Sequence, residues 1–348
     1  MATGTLVTFT TNYYDYSYDD SKTPPNQSSF GQPPVPSASS QGGWVILLVV
    51  NVVILLLGIC GNGVVIWIAG LKVKKTVNTT WYLSLAISDF VFCACLPFNI
   101  IYMVTKKWIL GIFMCKFTSF VMFLNMFSSI FLLVVISVDR YLLVVFPVWA
   151  QNQRTVRRAS AVVVLVWAGS VALSIPSTVF RQVTTDGIKC INDYPYPNSH
   201  ITVAVSRFVS GFVLPLLIII FCYFVIILRL RTSRMTRSSK PFRVLTALIA
   251  MFFISWLPYH VFIILELKAS DQTSLTVIHE GLNISVTLAS ANSCLNPFLY
   301  AFMGKDFKQK CWKSFLSKIE NAFDEEERSS RSRGTSFSQA DSKVSTNV

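Results

Sequence analysis

Residues 115 to 146 read CKFTSFVMFLNMFSSIFLLVVISVDRYLLVVF, an apolar stretch interrupted near its end by Asp139-Arg140-Tyr141. From Cys115 to Arg140 a helix rising roughly 1.5 Å per residue covers about 37 Å, more than the hydrocarbon core of a bilayer. A charged pair at the end of such a helix is costly unless it is paired or used. Two readings fit the triplet. Either Asp139 holds Arg140 as a latch until helices part, or the pair is a basic anchor at the membrane face.

The rest of the chain agrees with a membrane setting. Of its 348 residues 53% are hydrophobic and 14% charged, with mean hydropathy +0.54. Soluble domains carry about 25% charged residues. Seven apolar runs reach spanning length, at 44–69, 79–104, 115–146, 159–179, 201–230, 242–267 and 276–303. Lipid-exposed backbone must bond internally, so the runs predict an all-α, seven-transmembrane helix bundle over 44–303. The roughly ten-residue alternation of a β-barrel is absent. Pro97, Pro176, Pro215, Pro258 and Pro297 fall inside runs and predict tolerated kinks.

The net charge of +13 raises nucleic acid as a partner, but the basic residues sit in short loops between apolar runs. Counting run ends, and the last stretch only as far as Lys318, the connections after runs one, three, five and seven hold seventeen Lys or Arg, and the opposite side holds seven. The bias predicts a multi-pass plasma-membrane protein with its amino terminus outside. Residues 1–43 are polar and rich in Pro, Ser and Tyr, and read as a disordered outer tail rather than a cleavable signal. Residues 304–323 place Phe307, Trp312, Phe315, Leu316 and Ile319 at helical spacing among lysines. They predict a short cytosolic amphipathic eighth helix on membrane lipid. Cys311 within it is either a palmitoylation site or an unmodified thiol. Residues 324–348 read as a disordered, phosphorylatable tail, with candidate sites Ser329, Ser330, Ser332, Thr335, Ser336 and Ser338.

Polar residues inside the runs are the functional candidates. Asp89 lies in run two, Asn125 and Ser129 in run three, and Asn292, Ser293 and Asn296 in run seven. An intramembrane carboxylate suggests a site. These oxygens suit a small cation such as sodium, or else a hydrogen-bonded helix contact worth about 0.6–2 kcal/mol per bond. Asn296-Pro297-Phe298-Leu299-Tyr300, and Phe252 with Trp256, Pro258 and Tyr259, set aromatics beside a proline. These are hinges or simple packing. Arg207 stands about two turns inside run five, with Arg181, Glu266 and Glu280 near the outer ends of runs four, six and seven. Such charges suit a peptide with charged termini, or for the last three a solvated rim.

Five of the eight cysteines, Cys60, Cys93, Cys95, Cys222 and Cys294, lie inside runs and read as packing residues. Cys115 and Cys190 both face the oxidising side, which permits a disulfide. Tyr13, Tyr14, Tyr16 and Tyr18 alternate with acids and are candidates for sulfation, and Asn26-Gln27-Ser28 is an outward glycosylation sequon. Asn78-Thr79-Thr80 fits the pattern but faces the cytosol. Three scattered histidines, His200, His260 and His279, with no HExxH or phosphate loop, argue against an enzyme. No internal repeat or continuous polar path suggests a transporter.

Taken together, Gly61-Asn62, Leu85-Ala86-Ile87-Ser88-Asp89, Asp139-Arg140-Tyr141, Trp167, Pro215 with Tyr223, Ser255-Trp256-Leu257-Pro258 and Asn296–Tyr300 fall in an order that resembles the rhodopsin-like (class A) G-protein-coupled receptors. The resemblance covers about residues 44–320. It implies a Cys115–Cys190 disulfide and an allosteric sodium ion at Asp89, Asn125, Ser129, Asn292 and Asn296, with no other cofactor. It implies an activation switch of Trp256, Phe252, Ile130 and Pro215. It also implies a G-protein cleft lined by Asp139, Arg140, Tyr141, Tyr223 and Tyr300.

Within that class Phe146–Arg154, Asn292–Pro297 and Met303–Phe307 are similar to the chemoattractant peptide receptors, which include chemerin, complement anaphylatoxin and formyl peptide receptors. Lys74–Asn78, Lys240-Pro241-Phe242 and Leu265-Glu266-Leu267 lean toward the chemerin group. Leu288–Asn292 and Gly70-Leu71-Lys72 lean toward the complement group. Complement receptors place an acid where this chain has Leu282, which favours the chemerin-like side. The implied partners are a peptide or small-protein ligand, a Gi/o protein, arrestin and receptor kinases. The implied response is chemotaxis and inflammation, unless the chain is a non-signalling decoy. The implied ligand pocket contains Arg207, Glu266, Arg181, Phe123, Asn99, Tyr259 and Glu280.

Overall fold

The computed structural model describes residues 10–11, 38–232, 240–269 and 271–303. Helices α1 (Ala38–Trp67), α2 (Val77–Thr105), α3 (Gly111–Val145), α5 (Val156–Val179), α8 (Lys240–Glu266) and α9 (Gln272–Met303) match six of the seven apolar runs. The fifth run is α6 (Pro197–Phe208), a π turn at Val209–Val213 and α7 (Leu214–Thr232) in direct succession. A second π turn, Ile68–Lys72, closes α1.

Among the described residues six helical spans are long and apolar enough to cross a membrane. The seventh, α9, has the length but less hydropathy. Its polar side chains Ser285, Ser290, Asn292, Ser293 and Asn296 are all buried, so they cost apolar character without meeting lipid. Buriedness also ranks the helices. The most apolar window of α3 is 72% buried and that of α1 is 17% buried. Helix α3 is therefore central, packed against α2, α5, α7 and α8, while α1 lies at the margin.

Local chemistry sets the ends. Thr76 caps α2, its hydroxyl accepting from the Thr79 amide while the Thr79 hydroxyl accepts from the Thr76 amide. Thr155 caps α5 by accepting from the Arg158 amide. Four of the five expected prolines, Pro97, Pro176, Pro258 and Pro297, sit inside helices. Pro215 lies two residues past the π turn, where widened hydrogen bonding accommodates its missing N–H. Gly211 in that turn permits close approach to α3: a Cβ there would meet Met126 Cε at 2.9 Å.

A further helix, α4 (Pro147–Gln153), was not legible in the apolar pattern. At the other end of the bundle, β2 (Arg181–Val183) and β3 (Cys190–Asp193) form an antiparallel hairpin joined by β1 (Thr10–Thr11) in the order β1-β3-β2. The Cys115–Cys190 disulfide ties this hairpin to α3 and packs with Tyr102 and Trp108. The exposed Asp186 carboxyl in its turn accepts from the Thr184 hydroxyl and the Ile188 amide, which hold it below the usual carboxylate range. Among the run cysteines, Cys93, Cys95, Cys222 and Cys294 are buried as expected; Cys60 is exposed because α1 turns that face outward.

The chain divides after Leu299 into two units. Of the second, the helical backbone of Tyr300–Met303 is described. The expected eighth helix, the tail phosphorylation sites Ser329, Ser330, Ser332, Thr335, Ser336 and Ser338, Cys311, Asn26, and Tyr13, Tyr14, Tyr16 and Tyr18 lie outside the described residues.

Candidate functional site

Near the disulfide end, Arg207 is only 8% exposed. Its Nη1 donates to the Tyr259 hydroxyl at 2.7 Å and its Nη2 to Ser177 Oγ at 2.8 Å. The guanidinium carbon lies 3.6 Å from the centroid of the Phe123 ring. Among the described residues no carboxylate forms an ion pair with Arg207. Three neutral groups orient the buried cation, and the Glu266 carboxylate lines the same cavity without an ion-pair contact to it.

Arg207 lines one cavity with Asn192, Tyr194, His200, Ala204, Ile263 and Glu266. Glu266 receives two imidazoles, His279 Nε2 at 3.4 Å and His200 Nε2 at 3.8 Å. Tyr194 stacks on His200 at 4.7 Å, and burial pushes its phenol up despite the nearby Arg207 and Arg181. Arg181 is buried on β2 and donates to Asn192 Oδ1 at 3.3 Å. The disulfide thus carries part of the cavity wall.

From Tyr259 an aromatic column descends one face of α8. Tyr259 meets Trp256 edge-on at 5.8 Å, and Trp256 meets Phe252 at 6.1 Å. Residues 252, 256 and 259 share a face because four and three residues each make about one turn. Phe252 and Ile130 are fully buried, and Pro215 is buried on α7.

At mid-depth Asp89 joins three helices. Its Oδ1 accepts from Asn125 Nδ2 at 2.9 Å and its Oδ2 from Asn296 Nδ2 at 2.7 Å. Asn125 also donates to Ser88 Oγ at 3.1 Å and accepts from Ser293 Oγ at 3.0 Å. Ser88 and Ser128 share a bond of 2.5 Å, and Asn62 donates to the Ser293 carbonyl at 2.8 Å. Two expected cation oxygens, Ser129 Oγ and Asn292 Oδ1, are buried without a hydrogen-bond partner. In this arrangement both Asp89 oxygens are taken by amide N–H donors, from Asn125 and Asn296, rather than turned toward a shared set of oxygens. Among the described residues no group of three His, Cys, Asp or Glu is suited to a metal ion.

At the far end the expected Asp139–Arg140 ion pair is present, and Arg154 shares its carboxylate. Asp139 is taken by Arg154, whose Nε reaches Oδ1 at 2.8 Å and whose Nη2 reaches Oδ2 at 3.2 Å. Arg140 pairs with Asp139 at 3.7 Å and also donates to Asn78 Oδ1 at 2.5 Å. Arg154 Nη2 donates to the same oxygen at 2.5 Å. Helix α4 turns the chain so that Arg154 returns to Asp139, and its forked guanidinium makes the shorter contacts.

The sequence from 61 to 300 matches the 7 transmembrane receptor (rhodopsin family). The chain belongs to this family. It is 41% identical over 303 residues to "Chemerin-like receptor 1" of Homo sapiens, covering 81% of each chain. It is 38% identical to the "C3a anaphylatoxin chemotactic receptor" of Oncorhynchus mykiss, covering 83% of each. It is 37% identical to "N-formyl peptide receptor 3" of Macaca mulatta, covering 84% of this chain and 89% of the relative. The protein is therefore a multi-pass membrane receptor, not an enzyme.

The receptor gathers most of the expected site residues and separates a few. Arg207, Phe123, Tyr259 and Glu266 converge as described. Asn99 lines a different small cavity with Trp44, Asn51 and Thr287, between α1, α2 and α9. Glu280 is exposed, and Leu282 is 1% exposed. Tyr141 points away from the Asp139 cluster toward Phe146 and Phe221, at 6.2 and 6.1 Å. Tyr223 accepts from Thr246 at 3.3 Å. Ser177, Asn192, Tyr194, His200 and His279 were missed around the Arg207 cavity. Asn78 and Arg154 were missed at the latch, since one read as an unused sequon and the other as a loop charge.

Proposed function

We propose that this receptor binds a chemoattractant peptide or small protein of the chemerin type from outside, its amino terminus lying on that side. The ligand's terminal carboxylate meets Arg207, and apolar side chains pack on Phe123 and the column under Tyr259. Glu266 with His200 and His279 reads a polar group at the rim. The single observation that carries this reading is the buried Arg207 guanidinium oriented only by neutral groups. A buried unpaired charge costs several kcal/mol, and an incoming carboxylate offsets that cost.

Binding favours an outward swing of α8, coupled through Tyr259, Trp256 and Phe252, with a sodium ion at Asp89 favouring the resting arrangement. Release of Arg140 then admits a G protein of the Gi/o class, and a phosphorylated tail recruits arrestin. The buried Leu282 and the exposed Glu280 support the chemerin-like reading over a complement one.

The test is Arg207→Ala. It weakens the calcium or cyclic-AMP response to a carboxylate-ended peptide by roughly 100-fold or more at unchanged surface expression. The carboxyl-amidated peptide loses far less in the same variant. An unchanged dose–response curve sinks the assignment.

A further inference from the structure

Glu266 is the last residue of α8, and its side chain is 6% exposed. The carbonyls at a helix C-terminus already carry partial negative charge, so a carboxylate there calls for a cation. Two other helices supply one only on protonation. His200 of α6 reaches Oε2 and His279 of α9 reaches Oε1, so each oxygen has its own imidazole. Histidine is the side chain whose charge ordinarily changes between about pH 5 and 8.

Arg207 follows His200 on α6 by roughly two turns, and the two share a face of that helix. Both line the cavity with Glu266. Like charges repel, so Arg207 opposes a proton on His200, and an anion seated on Arg207 removes that opposition. Tyr194 stacks on His200 at 4.7 Å and offers a ring face that suits an imidazolium. The charged or titratable neighbours on the packed elements are Arg181 of β2, Asp193 of β3, Tyr259 of α8, Lys268 just past it and Glu280 of α9. His260 is turned elsewhere, against Phe208 and Phe212.

We propose that this cluster couples ligand binding to proton uptake: a peptide carboxylate on Arg207 and protons on His200 and His279 favour one another, so the receptor holds its ligand more tightly in acidic surroundings. The inference rests on the carboxylate reading of Arg207 given above. With both imidazoles neutral, Glu266 repels the incoming carboxylate. With both charged, Glu266 is compensated at each oxygen and the field in the cavity turns positive. The coupling is reciprocal, so anion binding draws protons from the medium by the same factor.

The test measures affinity of the full receptor in nanodiscs for synthetic carboxyl-terminal peptides of chemerin and of the C3a anaphylatoxin. Each is used as free acid and as amide, from about pH 8 to about pH 6. The acid is expected to bind roughly ten-fold more tightly at the lower pH, and the amide to change by less than about two-fold. Replacing both histidines, His200→Gln with His279→Gln, brings the acid to the amide's ratio. Each single variant lowers the ratio part-way, which serves where the double variant fails to fold, and His260→Gln leaves it unchanged. An acid affinity that is flat with pH, an equal ratio for acid and amide, or a ratio that survives loss of both cluster histidines overturns this inference alone. Binding of neither acid at any pH overturns the ligand reading, and this inference with it.

Discussion

Asp139 gives both carboxylate oxygens to Arg154, at 2.8 and 3.2 Å, and leaves its sequence neighbour Arg140 at 3.7 Å. Arg140 is held by Asn78 as well. The two ways of breaking this cluster therefore have opposite effects. Asn78→Ala removes the bond to Arg140, and a bond to a charged group contributes about 1.5–3 kcal/mol. Agonist-free nucleotide exchange in membranes is expected to rise roughly ten-fold. Arg154→Ala frees Asp139 to close on Arg140, so exchange stays at or below the unmutated level. A rise in both variants contradicts the arrangement.

Tyr259 holds Arg207 through its hydroxyl and passes contact to Trp256 through its ring. Tyr259→Phe keeps the ring and deletes the 2.7 Å bond. Peptide potency is expected to fall roughly 10- to 100-fold, the effect of one bond to a charged group. The maximal response stays intact, since the aromatic column is preserved. A loss of maximum rather than potency contradicts the division of labour.

Sodium sensitivity tests the mid-depth network. Replacing choline chloride with sodium chloride is expected to weaken agonist affinity roughly five-fold or more in the unmutated receptor and not in Asp89→Asn. Ser129 and Ser128 serve as paired controls. Ser128→Ala lowers the melting temperature because its hydroxyl bonds Ser88. Ser129→Ala abolishes the salt effect with little change in melting temperature. Sodium sensitivity that survives in Ser129→Ala removes that oxygen from the site.

The disulfide joins residues 75 apart and fixes the hairpin that carries Arg181 and Asn192. Closing a loop of that length contributes about 4 kcal/mol in a chain-entropy account. Cys190→Ala is expected to lower the melting temperature and to weaken peptide binding together. Full peptide affinity in Cys190→Ala at the surface excludes the hairpin from the cavity wall.

Helix existence was legible because spanning length and hydropathy are properties of one contiguous segment. The spans at 79–104 and 159–179 came within about three residues of α2 and α5. What escaped depends on chain return. Arg154 reads as a loop charge until Pro147 starts α4 and carries it back to Asp139. Asn78 reads as a sequon until Thr76 caps α2 and turns its amide inward. The cavity histidines lie on α6 and α9, and only their packing around Glu266 assembles them. Arg207 and Asp89 were recognisable because each puts a charge inside an apolar run, and Trp256 because it stands beside Pro258.

The π turn Val209–Val213 lies between Arg207 and Pro215 on what is otherwise one continuous helix. An α-helix advances each side chain by about 100° per residue, so the extra residue in a wide turn offsets the phase of everything beyond it. Deleting one residue there would rotate the guanidinium by about 100°, away from Tyr259 and Ser177, while Pro215 kept its buried place. The angular setting of Arg207 is thus independent of that of Pro215, and a single inserted residue could retune one without disturbing the other.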